Sequence, residues 1–139
     1  MIINAENLIL GRLATYAAKQ ALEGNPVIIV NCEKAIITGN KTSILNEFKE
    51  INDLGGPYKG PFLQKTPDKL VRRTIRGMLP YRQERGSKAF KRVKCFTGIP
   101  DKYQNQKIET IKEASYTKLN TLKFITVNDI SRAYHKGVA

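Results

Sequence analysis

Val27-Ile28-Ile29-Val30-Asn31-Cys32, introduced by Pro26, opens with four β-branched residues in a row and no polar alternation. Such a run suits a strand covered on both faces, the usual state of a strand in a parallel sheet. Upstream, Gly11 opens a helix predicted over residues 12 to 23, which Gly24 ends. Leu13, Ala14, Ala17, Ala18, Ala21 and Leu22 fall on one half of that helix, and the alanines allow a close approach to a sheet. Ile2-Ile3 can supply a first short strand, so the chain starts strand, helix, strand. That order is the parallel βαβ pattern. Downstream, Ala35-Ile36-Ile37-Thr38 reads as another strand, and a second helix buries Ile44, Leu45, Phe48 and Ile51. The expected architecture is α/β, built in layers.

The 139 residues suit one domain spanning 1–139, long enough for a hydrophobic core. The expected core is about 1–54 plus 93–135, with a helix and loop of different character over 55–94. Beyond Leu54, Gly55-Gly56-Pro57-Tyr58-Lys59-Gly60-Pro61 cannot hold regular structure and reads as a loop. Residues 101 to 122 are rich in Lys, Gln, Asn and Thr with weak periodicity, which predicts an extended arm. Lys123-Phe124-Ile125-Thr126-Val127 alternates like a strand, and Asn128-Asp129 are placed to cap a last helix carrying Ile130, Ala133 and Tyr134. Cys32 and Cys95 stand alone, without CxxC or Cys/His spacing, so the expectation is two reduced, packed thiols and no metal. No apolar run approaches the roughly 20 residues that cross a bilayer. The first residues lack the charged-then-apolar layout of a secretion signal, and the expected location is the cytosol.

Charge is the most uneven property of the chain. Thr66-Pro67-Asp68 reads as a helix start, with Thr66 as cap, Pro67 at the first helical position and Asp68 at the positive end. Leu70, Val71, Thr74, Ile75 and Met78 then form an inner face, while Lys69, Arg72, Arg73 and Arg76 form the outer one. The helix should stop at Gly77, before Pro80. Arg82, Arg85, Lys88, Lys91, Arg92 and Lys94 continue the basic run along an expected extended loop, which ends in a strand at Val93-Lys94-Cys95-Phe96. With Lys59 and Lys65, residues 59 to 94 hold 12 Lys and Arg against Asp68 and Glu84, a net +10 of the chain's +12. Six of the eight arginines lie in this window.

The ordinary reading of a charged stripe is a solvated face. Here the stripe has no acid at i+4, so it repels itself, and it is rich in the one cation whose planar fork matches phosphate oxygens. Those features point to a polyanion-binding surface. Tyr58 and Tyr81 are candidates for base stacking; Phe62 is suited either to stacking or to anchoring the loop. Gly77 and Gly86 fit equally a close approach to RNA or a plain helix end and turn.

Enzyme signals are missing. The turn before the first helix carries one glycine where a dinucleotide fingerprint needs three, and there is no GxxxxGK[ST]. His135 is the sole histidine, and the acids are scattered. No catalytic residue, cofactor or small-molecule substrate is expected. The apolar face of the basic helix is about three turns long without Trp or Phe, a poor membrane anchor better used against the core.

Several stretches together resemble a known family, the large-subunit ribosomal protein L-thirteen in its archaeal and eukaryotic form. They are Leu10-Gly11-Arg12-Leu13-Ala14 with Ala18-Lys19, Val27 to Glu33 with Gly39, and Gly60-Pro61-Phe62. The most specific is Arg76-Gly77-Met78-Leu79-Pro80, followed by Arg85-Gly86 with Ala89 and Phe96-Thr97-Gly98-Ile99-Pro100. Tyr81 departs from the histidine expected after the Arg-Gly-Met-Leu-Pro block. The resemblance implies an α/β fold with a mixed, mostly parallel central sheet flanked by helices. It implies a structural role on 23S-type large-subunit rRNA from an early stage of assembly, beside neighbouring large-subunit proteins, with no homo-oligomer. A free-standing RNA-binding regulator would show the same charge map, and a small α/β enzyme with an unrecognised site is the third reading.

Overall fold

The computed structural model describes residues 1–135; the last four residues of the expected 1–139 span lie outside the described part. The chain-opening strand is β1 (Ile2–Asn4), followed by helix α1 (Leu10–Leu22) and strand β2 (Val27–Val30). Helix α1 begins one residue before Gly11 rather than after it, and its inner face buries Leu10, Leu13, Ala14, Ala17, Ala18 and Ala21. Five of those six positions lie in the half expected from periodicity; small alanines let α1 lie close on its neighbours.

Strand β2 is the middle of a three-stranded parallel sheet, with β1 on one side and β4 (Val93–Cys95) on the other. Ile2 pairs with Ile28, Val27 with Val93, and Ile29 with Cys95. Val27, Ile29 and Val30 are fully buried, as an unalternating β-branched run requires. Burying each such side chain contributes about 1.5–3 kcal/mol. The remaining strands, β3 (Ile36–Thr38) and β5 (Phe124–Thr126), form a separate antiparallel pair in which Ile36 faces Thr126. The strand set is therefore mixed and mostly parallel, with the antiparallel part set apart from the three-stranded sheet.

Helix α2 (Lys41–Asp53) starts where the Asn40 side chain accepts from the Thr42 amide, and it turns Ile44, Leu45, Phe48 and Ile51 inward. Helix α3 (Pro67–Gly77) packs on α1 and β4, and α4 (Glu84–Arg92) packs on α1. The terminal helix α5 (Val127–His135) buries Val127, Ile130 and Tyr134. Its first turn is held by Thr126, whose hydroxyl accepts from the Asp129 amide at 3.2 Å, so the cap lies before Asn128-Asp129 rather than at them.

Residues 101 to 122 are not a free arm. They wrap the molecule in three short 3-10 turns, Asp101–Tyr103, Lys112–Ala114 and Tyr116–Lys118. Glu109 exchanges backbone hydrogen bonds with β1, accepting from Asn4 at 2.9 Å and donating to Ile2 at 2.8 Å. Tyr103 is buried with Ile2 and Val30 in a small second core, its ring 5.7 Å from that of Phe96. Backbone pairing holds this segment, which is why side-chain periodicity gave it no signature. Tyr103 and Ala114 are its buried side chains; most of the others are exposed, Leu122 almost fully.

Both cysteines are free. Cys32 is buried and Cys95 half-buried. The Cys32 thiol donates to the Ile29 carbonyl at 3.7 Å, and the neighbouring Cys95 thiol, with burial, pushes it far above the ordinary range. Among the described residues no His, Cys, Asp and Glu side chains gather as a metal site, and no helix is long and apolar enough to cross a membrane.

Candidate nucleic-acid interface

Helix α3 is fixed from below. Leu70, Val71 and Ile75 are buried, and Leu79 just past the helix joins them. Pro67 occupies the first turn and Asp68 sits beside it, as expected, but the Thr66 hydroxyl makes no capping bond and is buried without a partner among the described residues. The inner face also ends earlier than the periodicity implies. Met78 lies at the C-cap with φ −92° and ψ −3°, where the chain leaves the helix, and it is 42% exposed. Leu79 takes the buried place that Met78 was expected to fill.

The outer face carries Lys69, Arg72, Arg73 and Arg76 together. None of the four has a carboxylate within ion-pair distance among the described residues, whose ion pairs are Lys34 with Glu6, Lys88 with Glu84 and Lys107 with Glu109. Aromatic rings hold two of the guanidinium groups instead. Arg72 lies over Phe90 at 4.4 Å from the ring centroid, and Arg76 over Tyr81 at 5.1 Å. Each contact supplies about 0.5–1 kcal/mol at an exposed site and leaves the positive charge uncancelled. Phe62, Gln64 and Phe90 complete the walls of an open cleft of about 310 Å³ around these cations.

The segment expected as an extended basic loop is helical. Helix α4 has a buried face of Gly86 and Ala89, with Phe90 half-buried beneath Arg72. Gly86 is there because nothing larger fits: a Cβ would lie 2.1 Å from the Pro80 carbonyl oxygen. Its close approach is to the protein's own backbone, whereas a Cβ on Gly77 would meet open space. Lys88 and Lys91 are exposed on α4, and Lys88 pairs with Glu84 at 2.6 Å. Arg85 lines a different groove, between α1 and Met78, with Thr15 and Lys19. Arg92 is half-buried and donates to the Ala21 carbonyl at 3.2 Å, so part of its donor capacity closes the end of α1. Arg82 and Lys94 are exposed, the latter on the outer side of β4.

Lys59 and Lys65 lie on the exposed loop before α3. Gly55 at φ +85° and the bond from the Gly60 amide to the Gly56 carbonyl, 2.8 Å, close a tight turn in that loop. Ser131 of α5 donates to the Lys65 carbonyl at 2.7 Å and fastens the loop where α3 begins. Tyr58 is 92% exposed and far from anchoring anything; Phe62, at 69%, is a cleft wall rather than a core anchor. Tyr81, half under Arg76, keeps 43% of its surface open.

Sequence reasoning thus put the four cations of α3 on one face, where the structure has them, and did not bring Phe90 and Gln64 beside them. Phe90 was findable in principle: with Gly86, Ala89 and Val93 it marks one helical face, disguised because two of the four are small.

The ribosomal protein L13 family model matches residues 1–102 of this chain. A protein described as large ribosomal subunit protein uL13 from Methanococcoides burtonii is 41% identical over 131 residues, which cover 94% of each chain. Those of Methanocaldococcus jannaschii, 43% over 135 residues, and Methanopyrus kandleri, 42% over 132 residues, carry the same description. They cover 94% of this chain, and 94% and 83% of their own lengths. These relatives are ribosomal proteins, not enzymes. With a matching family model over most of its length and relatives of this similarity end to end, the chain belongs to the ribosomal protein L13 family.

Proposed function

We propose that this chain is a structural component of the large ribosomal subunit that binds folded 23S-type rRNA through the cations of α3 and the basic residues around it. Family membership puts it in the cytoplasmic ribosome. The observation that carries the rRNA contact is the unneutralised group Lys69, Arg72, Arg73 and Arg76, set on a helix anchored by Leu70, Val71 and Ile75. Phosphates would replace the carboxylates the protein does not provide, and counterions released on contact would drive association. Helical RNA presents phosphates and 2′-hydroxyls rather than a readable deep groove, so the RNA's folded shape supplies specificity. Lys59, Lys65, Arg82, Arg85, Lys88, Lys91, Arg92 and Lys94 extend the contact, and Tyr58 and Tyr81 offer ring faces.

In this reading the chain is one unit, with 1–54 and 93–135 as scaffold and 55–94 as the RNA-facing part. It acts by holding rRNA helices in place from an early stage of subunit assembly, beside neighbouring large-subunit proteins. Sedimentation of cell lysate in rising salt tests it: the chain should travel with large subunits and leave only at high salt. Arg76→Ala should leave at lower salt, and its log-log salt slope for purified large-subunit rRNA should flatten by about one unit. A chain that sediments free of subunits at low salt would instead be a free-standing RNA-binding regulator, and an unchanged slope would remove Arg76 from the contact.

A further inference from the structure

The cleft between α3, α4 and the 62–64 loop contains more than phosphate binding needs. Phosphates require cations, and Lys69, Arg73 and Arg76 provide them around the rim. They do not require Phe62, a large apolar side chain left 69% exposed in the same cleft, nor the stack of Arg72 on Phe90 at 4.4 Å. The Phe90 ring covers one face of the Arg72 guanidinium, and Arg72 is otherwise exposed, as a second stacking partner would need. Gln64 adds a donor and an acceptor side by side, a set suited to a base edge and redundant for a phosphate. At about 310 Å³ the cleft has the size of a small-ligand pocket, roughly 300 Å³ and upward.

The occupant must therefore be flat, rich in π electrons and joined to negative charge. A base inside an A-form helix is stacked on both faces and cannot enter; an unpaired one can. An apolar peptide would leave four cations buried without partners, at a cost the single exposed phenyl ring does not offset.

We propose that this cleft receives one unpaired nucleotide of the rRNA. Its base stacks between Phe62 and the Arg72–Phe90 pair, its edge meets Gln64, and its phosphates meet Lys69 and Arg76. The proposal rests on the rRNA-binding reading above and names what that same surface recognises: an extruded base rather than a run of phosphates alone. Recognition of such a base gives the protein a way to register on folded rRNA that charge by itself does not supply.

The full chain bound to purified large-subunit rRNA is the test system, with two variants. Phe62→Ala removes one wall at an exposed position, so its thermal stability should match wild type. Arg72→Lys keeps the charge but loses the planar stack. Base-selective chemical probing (dimethyl sulfate, kethoxal and carbodiimide) reads individual unpaired bases, and hydroxyl-radical cleavage reads the backbone. Wild-type protein should protect one unpaired base that becomes reactive with either variant, while the backbone footprint and the salt slope persist. Affinity should fall roughly tenfold, the loss expected for one base–aromatic stack. If both variants retain the backbone footprint, every base reactivity and wild-type affinity, the cleft is a phosphate groove and the nucleotide pocket is overturned, with the interface left standing. If wild-type protein gives no backbone footprint, the interface itself fails, and the pocket with it.

Discussion

Tyr134 is an ionisable side chain in a place that does not favour its ionised form. It is 5% exposed, its ring meets Phe48 edge to face at 6.2 Å, and its hydroxyl has no hydrogen-bond partner among the described residues. Burial, with the nearby Asp53 carboxylate, pushes its pKa up from 10 to about 12. The sign follows from linkage. Folded protein keeps a proton that the unfolded chain gives up above pH 10, so this contribution to stability is intact below pH 10 and is lost as pH rises towards 12. Tyr134→Phe keeps the ring, drops the unpaired hydroxyl and abolishes the dependence. Its unfolding midpoint should equal or exceed wild type at pH 7, and the advantage should widen between pH 10 and 12 in urea titrations. A gap that stayed constant across that range would show that the phenol is solvated in the folded state. Gly86 makes a related point about single residues: its missing side chain is dictated by the Pro80 carbonyl, a tertiary contact that no local reading of a Gly in a basic stretch reveals.

At the scale of elements, α3 carries the proposed interface, and its two faces make opposite predictions. Ile75 is completely buried, so Ile75→Ala should cost about 2–5 kcal/mol in urea unfolding. Met78 sits beyond the last helical turn, touching the Thr15 hydroxyl at 3.5 Å through its sulfur, and Met78→Asp should cost no more than about 0.5–1 kcal/mol. Equal penalties would mean that Met78 belongs to the core after all. The contrast marks where pattern reading works. Helix α3 was legible because large apolar residues and cations alternate with helical period and Pro67 fixes the start. The period was simply carried one residue too far, past a C-cap set by backbone geometry. Helix α4 was illegible for a different reason: it buries glycine and alanine, and Gln83 before it makes no side-chain cap, so neither hydrophobicity nor capping announces it. Strand β2 stood out because both its faces are buried. Phe90 and Gln64 join Arg72 and Arg76 only through the packing of α4 and the 62–64 loop on α3, which no linear spacing contains.

For the whole molecule, charge is where stability and binding separate. The window from 59 to 94 carries +10 and the rest of the chain +2, so one segment of the chain concentrates nearly all the excess positive charge. Lys69 shows the conflict most simply. It is the third residue of α3, a cation at the positive end of a helix, with Arg72 and Arg73 three and four residues ahead. Like charges at that spacing cost a few tenths of a kcal/mol each, and the helix end adds a similar amount. Neither Asp68 nor any other carboxylate of the described residues reaches it as an ion pair. Lys69→Gln should therefore raise the stability of the free chain by roughly 0.5 kcal/mol, a shift of a degree or two in Tm. The same change removes one phosphate contact, so rRNA affinity should drop and the log-log salt slope should flatten by about one unit. Stability and affinity moving in opposite directions is the signature of a surface selected for a polyanion. If Lys69→Gln lowered both together, the lysine would be holding the helix rather than facing nucleic acid. Added salt offers the same separation without mutation: screening should raise the Tm of the free chain over the range in which it weakens the complex, because one set of charges drives both effects.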